Sequence, residues 1–366
     1  MLKKTMNIVT VSILAGFILF FMLFFVISDD NEASTSERRK LAQLPKLNVE
    51  NVLNNEFMSG FEEYALDQFP LRDKFRTLKA MVLYNVMNMS DNNDIYIADG
   101  YASKLDYPLN TQSLDYASRR MGYVYDKYIS GTKANVYMSI IPDKNYFLAE
   151  KNGYPSLDYD KLVKVMQEEN EYATYIDIFP TLNIQDYYKT DTHWRQERIE
   201  MTAMKLAEKM DVPFKMNNSI IEVNEPFYGV YYGQAALPME AEKMYYIKNA
   251  TINDCIAFDY ETNTEMPIYD MEKLKSPDLY EMYLSGSKSF ITIENPSLLS
   301  DKELVIFRDS FGSSIAPYFI ESYRKITLID TRYIHPDVLG HYINFSNQDI
   351  LFLYSTLVLN NSITFK

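Results

Sequence analysis

The sequence predicts an α/β domain built on a mostly parallel sheet, preceded by one membrane-spanning helix. Three observations lead there. Short apolar runs without polar alternation, such as residues 134–141 and 304–307, are separated by segments of helical periodicity, the pattern of strands covered by helices on both faces. From Thr5 to Ser28 there is no charged residue. The remainder, in a chain that is 47% hydrophobic and 23% charged, suffices to bury a proper core.

Residues 13–27 are almost wholly Ile, Leu, Phe, Met and Val, and about 20 such residues cross a bilayer's hydrocarbon core as a helix. Lys3 and Lys4 precede the run while Asp29, Asp30 and Glu32 follow it, so the basic-side preference places the N-terminus in the cytoplasm and the rest of the chain outside. The run is longer than a signal-peptide core and Phe24-Phe25-Val26-Ile27-Ser28-Asp29-Asp30 has no small-x-small site, which favours an uncleaved anchor.

Residues 29–40 are polar without apolar period and read as a stalk. Over 47–89 the apolar positions recur at helical spacing, and Phe69-Pro70 divides them into two helices. The main domain opens near Ile95-Tyr96-Ile97. A helix follows over 111–129, then a buried strand over 134–141 closed by Pro142-Asp143. The alternation continues with a helix over 159–171, a strand over 174–179, and a helix over 195–210 whose inner face is Ile199, Ala203, Leu206, Ala207 and Met210. Residues 213–290 are rich in Tyr and Asn and poor in helix signals, and read as a β-rich insertion or an elaborated loop set. After it come strands at 303–307, 325–329 and 349–354, with a helix over 311–323 between the first two. The expected organisation is a cytoplasmic tip and anchor over 1–28, a stalk with N-terminal helices over 29–90, and the main domain over 91–366.

The net charge of −14 and the lack of a basic stripe argue against nucleic acid as a partner. A single cysteine, Cys255, excludes an intrachain disulfide and reads as a small buried hydrophobe. Three histidines without His-Glu-x-x-His or cysteine pairs leave no metal site to expect, and only 11 glycines leave no phosphate loop. No cofactor is expected. Tyrosine reaches 31 residues, clustered over 228–283, which suits either a sugar-gripping surface or a tyrosine-rich core.

Two segments carry candidate chemistry: Thr190-Asp191-Thr192-His193-Trp194, and Arg308-Asp309-Ser310-Phe311-Gly312 directly after the run Leu304-Val305-Ile306-Phe307. In an open parallel sheet ligands gather beyond the carboxyl ends of the strands. Ser310 falls there, at the start of an expected helix whose N–H groups would stabilise an acyl oxyanion. Asp309 or Ser310 as a plain helix cap is the alternative. A serine needs a base. His193 has Asp191 two residues before it, and in an extended segment both would face one side, letting the carboxylate hold the imidazole. His335 and His341 read as loop residues without a paired acid.

The segment Tyr188-Lys189-Thr190-Asp191-Thr192-His193-Trp194 resembles the Asp-x-His-Trp block of the alginate O-acetyltransferase proteins and the related DHHW proteins of bacteria. The nucleophile segment with Pro317-Tyr318 and residues 329–333 is similar to that of the DHHW group, as are Asp67-Gln68-Phe69-Pro70-Leu71-Arg72 and Ile141-Pro142-Asp143-Lys144. Thr192 stands where the name-giving second histidine would be, and Arg308-Asp309 where the alginate proteins have Gly-Thr. The resemblance implies an SGNH-hydrolase-like three-layer fold with Ser310, His193 and Asp191 as a catalytic triad. It implies transfer of acetyl groups to hydroxyls of an extracellular polysaccharide, or their removal, with a multispanning membrane-bound O-acyltransferase as acetyl donor; with the anchor read above, the expectation is a single-pass cell-membrane protein. Trp194 is a candidate sugar-groove floor or a core residue, and Lys144 and Arg308 are candidates for supporting the site. A polysaccharide acetyl esterase of the same fold, or a non-catalytic glycan- or cell-wall-binding protein, are the alternatives.

Overall fold

A computed structural model describes residues 2–34 and 36–366. The chain forms two compact units, Met1–Asn92 with Ala236–Pro238, and Asn93–Ala235 with Met239–Lys366.

In the first unit, helix α1 (Leu2–Ile27) is long and apolar enough to cross a membrane. After a short helical turn at Val49–Leu53 come two longer helices, α2 (Glu56–Asp67) and α3 (Arg72–Asn85), separated at Phe69-Pro70 as the sequence predicts. Within the stretch 29–40, described residues form local pairings. Ala33–Ser34 pairs with Arg39–Lys40, and Arg39 reaches both carboxylate oxygens of Asp67 at 2.6 and 2.7 Å. That bidentate bond holds the Asp67 carboxyl down to about 2. Charges that look solvated in sequence are thus used in local pairing.

The second unit is built on a sheet whose eight strands are β1 (Asn135–Ile141), β2 (Thr174–Tyr175), β3 (Ile256–Asp259), β4 (Thr264–Met266), β5 (Phe290–Glu294), β6 (Glu303–Arg308), β7 (Lys325–Ile329) and β8 (Asp349–Ser355), in the order β4-β3-β5-β7-β6-β8-β1-β2. The five strands from β7 to β2 run parallel. β5, β3 and β4 extend the sheet antiparallel. Alternate side chains of each strand enter one of two cores. Leu304, Ile306, Leu351 and Leu353 pack with Ile199, Ala203, Leu206 and Ala207. On the other face Val305, Phe307, Ile350 and Phe352 pack with Leu114, Ala117, Leu162 and Met166. Helices α4 (Thr111–Val124) and α5 (Tyr159–Glu169) therefore cover one face and α6 (Glu200–Lys209) the other. This is a three-layer α/β domain with a mostly parallel sheet, and its doubly covered strands explain the unbroken apolar runs.

Three elements depart from the sequence reading. The strand expected over 174–179 pairs only at Thr174–Tyr175. The helix expected over 311–323 is α-helical only in α7 (Phe311–Ile315) and tightens into a 3₁₀ turn over Ala316–Phe319, where Pro317 cannot donate an α-helical bond. The stretch 213–290 is not wholly an insertion, because it supplies β3 and β4 to the main sheet.

Candidate active site

Asp191 and His193 sit at the tip of a narrow loop. Its limbs pair through Tyr188 N to His193 O at 3.1 Å and Arg195 N to Asp186 O at 2.7 Å. The tip is a turn, not the extended segment that sequence spacing suggests. Asp191 Oδ1 accepts the His193 backbone N–H at 3.0 Å, closing a turn through a side chain, and the same oxygen lies 2.5 Å from His193 Nδ1. The other oxygen, Oδ2, accepts Val230 N–H at 2.8 Å.

Groups distant in sequence lock this tip. Glu242 accepts the Lys189 and Thr190 N–H groups, both at 2.7 Å, and the Thr190 hydroxyl at 2.6 Å. Thr190 Oγ1 in turn accepts Gly229 N–H at 2.9 Å. Gly229 is needed for room, since a Cβ there would lie 2.3 Å from Asp191 Cβ. Lys144 donates to the carbonyls of Tyr188 at 2.9 Å and Lys189 at 3.2 Å, and stands over the Tyr231 ring. Burial pushes the Lys144 ammonium down to about 7, against the attraction of Asp191, Glu242 and Asp143.

Ser310 follows the carboxyl end of β6, where an open parallel sheet gathers its ligands. Its hydroxyl makes no capping bond. Capping falls to Asp309, whose carboxylate accepts Phe311 N–H at 3.0 Å and, across the sheet, Ser355 N–H at 2.8 Å. Two of the N–H groups that the sequence offers as oxyanion donors are therefore already engaged within the helix start. α7 is one turn long, Phe311 N–H is held by the Asp309 side chain, and Gly312 N–H by the Asp309 carbonyl at 3.1 Å.

With the cap supplied by Asp309, Ser310 Oγ is turned to His193 Nε2 at 2.7 Å. Asp191, His193 and Ser310 thus form one hydrogen-bonded line. Asp191 is fully buried and His193 nearly so, while Ser310 is partly open to solvent. The imidazole lies between two rings: Tyr280 stacks on it at 3.7 Å with a 7° interplanar angle, and Phe311 tilts against it at 4.9 Å. Ser314 secures both neighbours, accepting Tyr280 O–H and Trp194 Nε1–H at 2.8 Å each and donating to Phe311 O.

Trp194, Lys144 and Arg308 are 0%, 2% and 0% exposed, so none presents a face to a solvent-borne ligand. Trp194 is a core residue packed edge-on against Phe311. The Arg308 guanidinium reaches the Asp309 and Lys288 carbonyls at 3.4 Å and lies 3.9 Å from Asp330. Of the nine tyrosines over 228–283, Tyr231, Tyr280 and Tyr283 are buried, Tyr228 is exposed and the other five are half-buried. Gly229, Glu242, Tyr280 and Ser314 escape sequence reasoning, the tyrosine cluster being the one signal that pointed near them. Among the described residues no group of three His, Cys, Asp or Glu side chains is placed to hold a metal ion. An imidazole bonded to both a serine hydroxyl and a buried carboxylate can take the hydroxyl proton as the oxygen attacks an electrophilic carbon, and return it to a leaving group.

By sequence, no protein family and no curated protein matches the chain. Solved structures do. A DHHW family protein from Eubacterium siraeum aligns at 21% identity over 74% of this chain and 93% of its own, with a TM-score of 0.60. Bacillus cereus PatB1 carrying a sulfonyl adduct aligns at 18% identity over 72% of this chain and 95% of its own, with a TM-score of 0.56. This chain therefore shares the α/β fold of the Eubacterium siraeum DHHW family protein and of PatB1.

Proposed function

We propose that this protein is a serine-dependent O-acyltransferase, anchored in the cell membrane by α1, that moves acetyl groups onto hydroxyls of a cell-surface or secreted polysaccharide. The observation that carries the reading is the line from Asp191 through His193 to Ser310, with contacts of 2.5 and 2.7 Å. The Asp-x-His-Trp and nucleophile motifs, and a fold shared with a DHHW family protein, support the acyl-transfer class.

In the first half-reaction Ser310 Oγ attacks the acyl carbonyl while His193 Nε2 takes its proton. The tetrahedral adduct collapses, the donor's leaving group departs with that proton, and the acyl group remains esterified to Ser310. A sugar hydroxyl then gives its proton to His193 and attacks the ester carbonyl. The new sugar ester leaves as Ser310 recovers the proton. Asp191, fixed by the His193 and Val230 N–H groups, keeps the imidazole in the tautomer that accepts at Nε2 and stabilises the imidazolium. Metal and cofactor have no step in this scheme.

Lys3 and Lys4 on one side of the span and Asp29, Asp30 and Glu32 on the other support an extracytoplasmic second unit. An acetyl donor there must be delivered across the membrane, a task suited to a multispanning membrane-bound O-acyltransferase. The test is partition of the acyl group: purified protein is given an activated acetyl ester with and without an oligosaccharide acceptor. Acceptor-dependent formation of sugar ester, absent in Ser310→Ala, supports transfer. Rapid release of acetate unaffected by acceptor makes the protein an esterase, and no turnover with either the ester or the natural donor leaves a glycan-binding role.

A further inference from the structure

Helix α3 carries an apolar stripe. At about 100° per residue, Phe75, Leu78, Val82 and the C-cap Val86 fall on one face of α3, with Leu71 and Met89 in the flanking chain. In a water-soluble helix such a stripe faces the core. Here Leu71, Leu78, Val82, Val86 and Met89 are 40–73% exposed. The opposite face makes the internal contacts of the unit: Ala80 is fully buried, and Arg76 pairs with Glu37 at 3.5 Å and with Asp73 at 3.3 Å. Lys74 and Lys79, both exposed, border the stripe on its two sides.

A second observation says what covers the stripe. Its first aromatic, Phe75, packs edge-on against Phe21 of α1 at 5.5 Å, and the neighbouring Phe69 stacks on the same ring at 5.4 Å. From α2, Tyr64 meets Phe25 of α1 at 5.5 Å. Phe21 lies within the uncharged run and six residues before the end of α1 at Ile27, so at a rise of 1.5 Å per residue it sits about 9 Å inside the span. Rings packed on Phe21 share that depth, and the stripe of α3 begins with one of them, Phe75.

We infer that α3 lies on the outer leaflet of the same membrane, its stripe among the acyl chains and Lys74 and Lys79 reaching back to lipid phosphates. This is the arrangement of an interfacial amphipathic helix, with lysine stems running along the apolar surface and ammonium groups at headgroup level. The inference rests on α1 being a membrane anchor. It makes the first unit a monotopic foot in addition to a tether, gripping lipid along α3 as well as crossing it with α1.

The test uses the full-length chain, in a Cys255→Ser background, in nanodiscs of phosphatidylcholine and phosphatidylglycerol. Single cysteines from Ile18→Cys, Asp73→Cys, Leu78→Cys, Val82→Cys and Val86→Cys carry an environment-sensitive fluorophore. They are challenged with acyl-chain spin-labelled lipid and, separately, with aqueous iodide. The expected result is strong lipid quenching and iodide protection at 18, 78, 82 and 86, with the reverse at 73. Lipid quenching at 18 with iodide access at 78, 82 and 86 overturns the inference and leaves the anchor standing. Protection of the stripe from both quenchers overturns it in favour of a covering protein, such as a second copy. Absence of lipid quenching at 18 refutes the anchor and the interfacial helix together.

Discussion

Replacing Gly229 by alanine tests whether the position of Asp191 controls the reactivity of Ser310. The added Cβ would stand 2.3 Å from Asp191 Cβ and 2.4 Å from its Cα and backbone N, where contacting carbons prefer about 3.5–4.0 Å. Something must therefore move by more than about 1 Å. The obstructing atoms belong to the backbone and first side-chain carbon of Asp191, so no flexible end can swing away. Gly229 cannot retreat freely either, because its N–H is bonded to Thr190 Oγ1 and the next N–H to Asp191 Oδ2. Gly229 is not among the glycines at positive φ, so the effect is steric and not conformational. Overpacking of this kind costs about 1–3 kcal/mol of stability, and displacing a catalytic group by about 1 Å costs on the order of 10²-fold in rate. The expected outcome is a drop of about 10²-fold in kcat for acetyl-ester turnover with KM little changed. Melting should fall by about 2–4 °C per kcal/mol lost. Folded Gly229→Ala protein with at least half of wild-type kcat and an unchanged melting temperature would refute the reasoning.

Ser310→Ala should abolish turnover while leaving the melting temperature essentially unchanged, since its hydroxyl caps nothing. Asp309→Ala should instead lose about 1–3 kcal/mol in chemical denaturation, because the Phe311 and Ser355 N–H groups lose a buried acceptor. Tyr280→Phe keeps the ring on His193 and should retain kcat with a modest stability loss. Tyr280→Leu should lower kcat several-fold, since an aromatic face on the developing imidazolium is worth about 0.5–2 kcal/mol, and equal kcat in the two variants would exclude the stacking role. Lys144 gives a pH signature. Its ammonium is lowered to about 7 in the folded protein against 10.5 for the ordinary side chain. Between those values the unfolded chain binds the extra proton, so stability rises with pH from about 7 towards 10.5 and the penalty is fully present below 7. Melting temperatures of wild type and Lys144→Met across that window should show this rise in wild type alone, and parallel curves would contradict it.

How much of this was legible in sequence depended on the range of the interactions involved. The strands at 135–141, 303–308 and 349–355 announced themselves because both sheet faces are covered, so their central positions form apolar runs with polar residues mainly at the ends. The inner face of α6 was readable residue by residue, and Ile199, Ala203, Leu206, Ala207 and Met210 are all buried. β5 was not, since it lies at the end of a tyrosine-rich stretch and pairs antiparallel with partners on both sides. The Asp191, Thr192, His193 spacing suggested the contact, but its geometry comes from a side-chain-closed turn that no periodicity encodes. The groups that fix this turn, Gly229 and Glu242, lie 39 and 52 residues from Thr190, and the Tyr280 ring comes from still farther along the chain. Whether Asp309 or Ser310 caps the helix was equally open in sequence, where both are good caps. The structure gives that bond to Asp309 and leaves Ser310 facing His193.

The central claim, that Ser310 is a nucleophile activated by His193, is tested most directly by intact-mass analysis of the protein incubated with an activated acetyl ester. Wild type, Ser310→Ala and His193→Ala are compared, and the adduct is located by peptide mapping. An acetyl adduct on Ser310, absent in Ser310→Ala, slowed in His193→Ala and discharged faster by an oligosaccharide than by water, is the predicted result. Unaltered acylation and turnover in both variants would contradict the account.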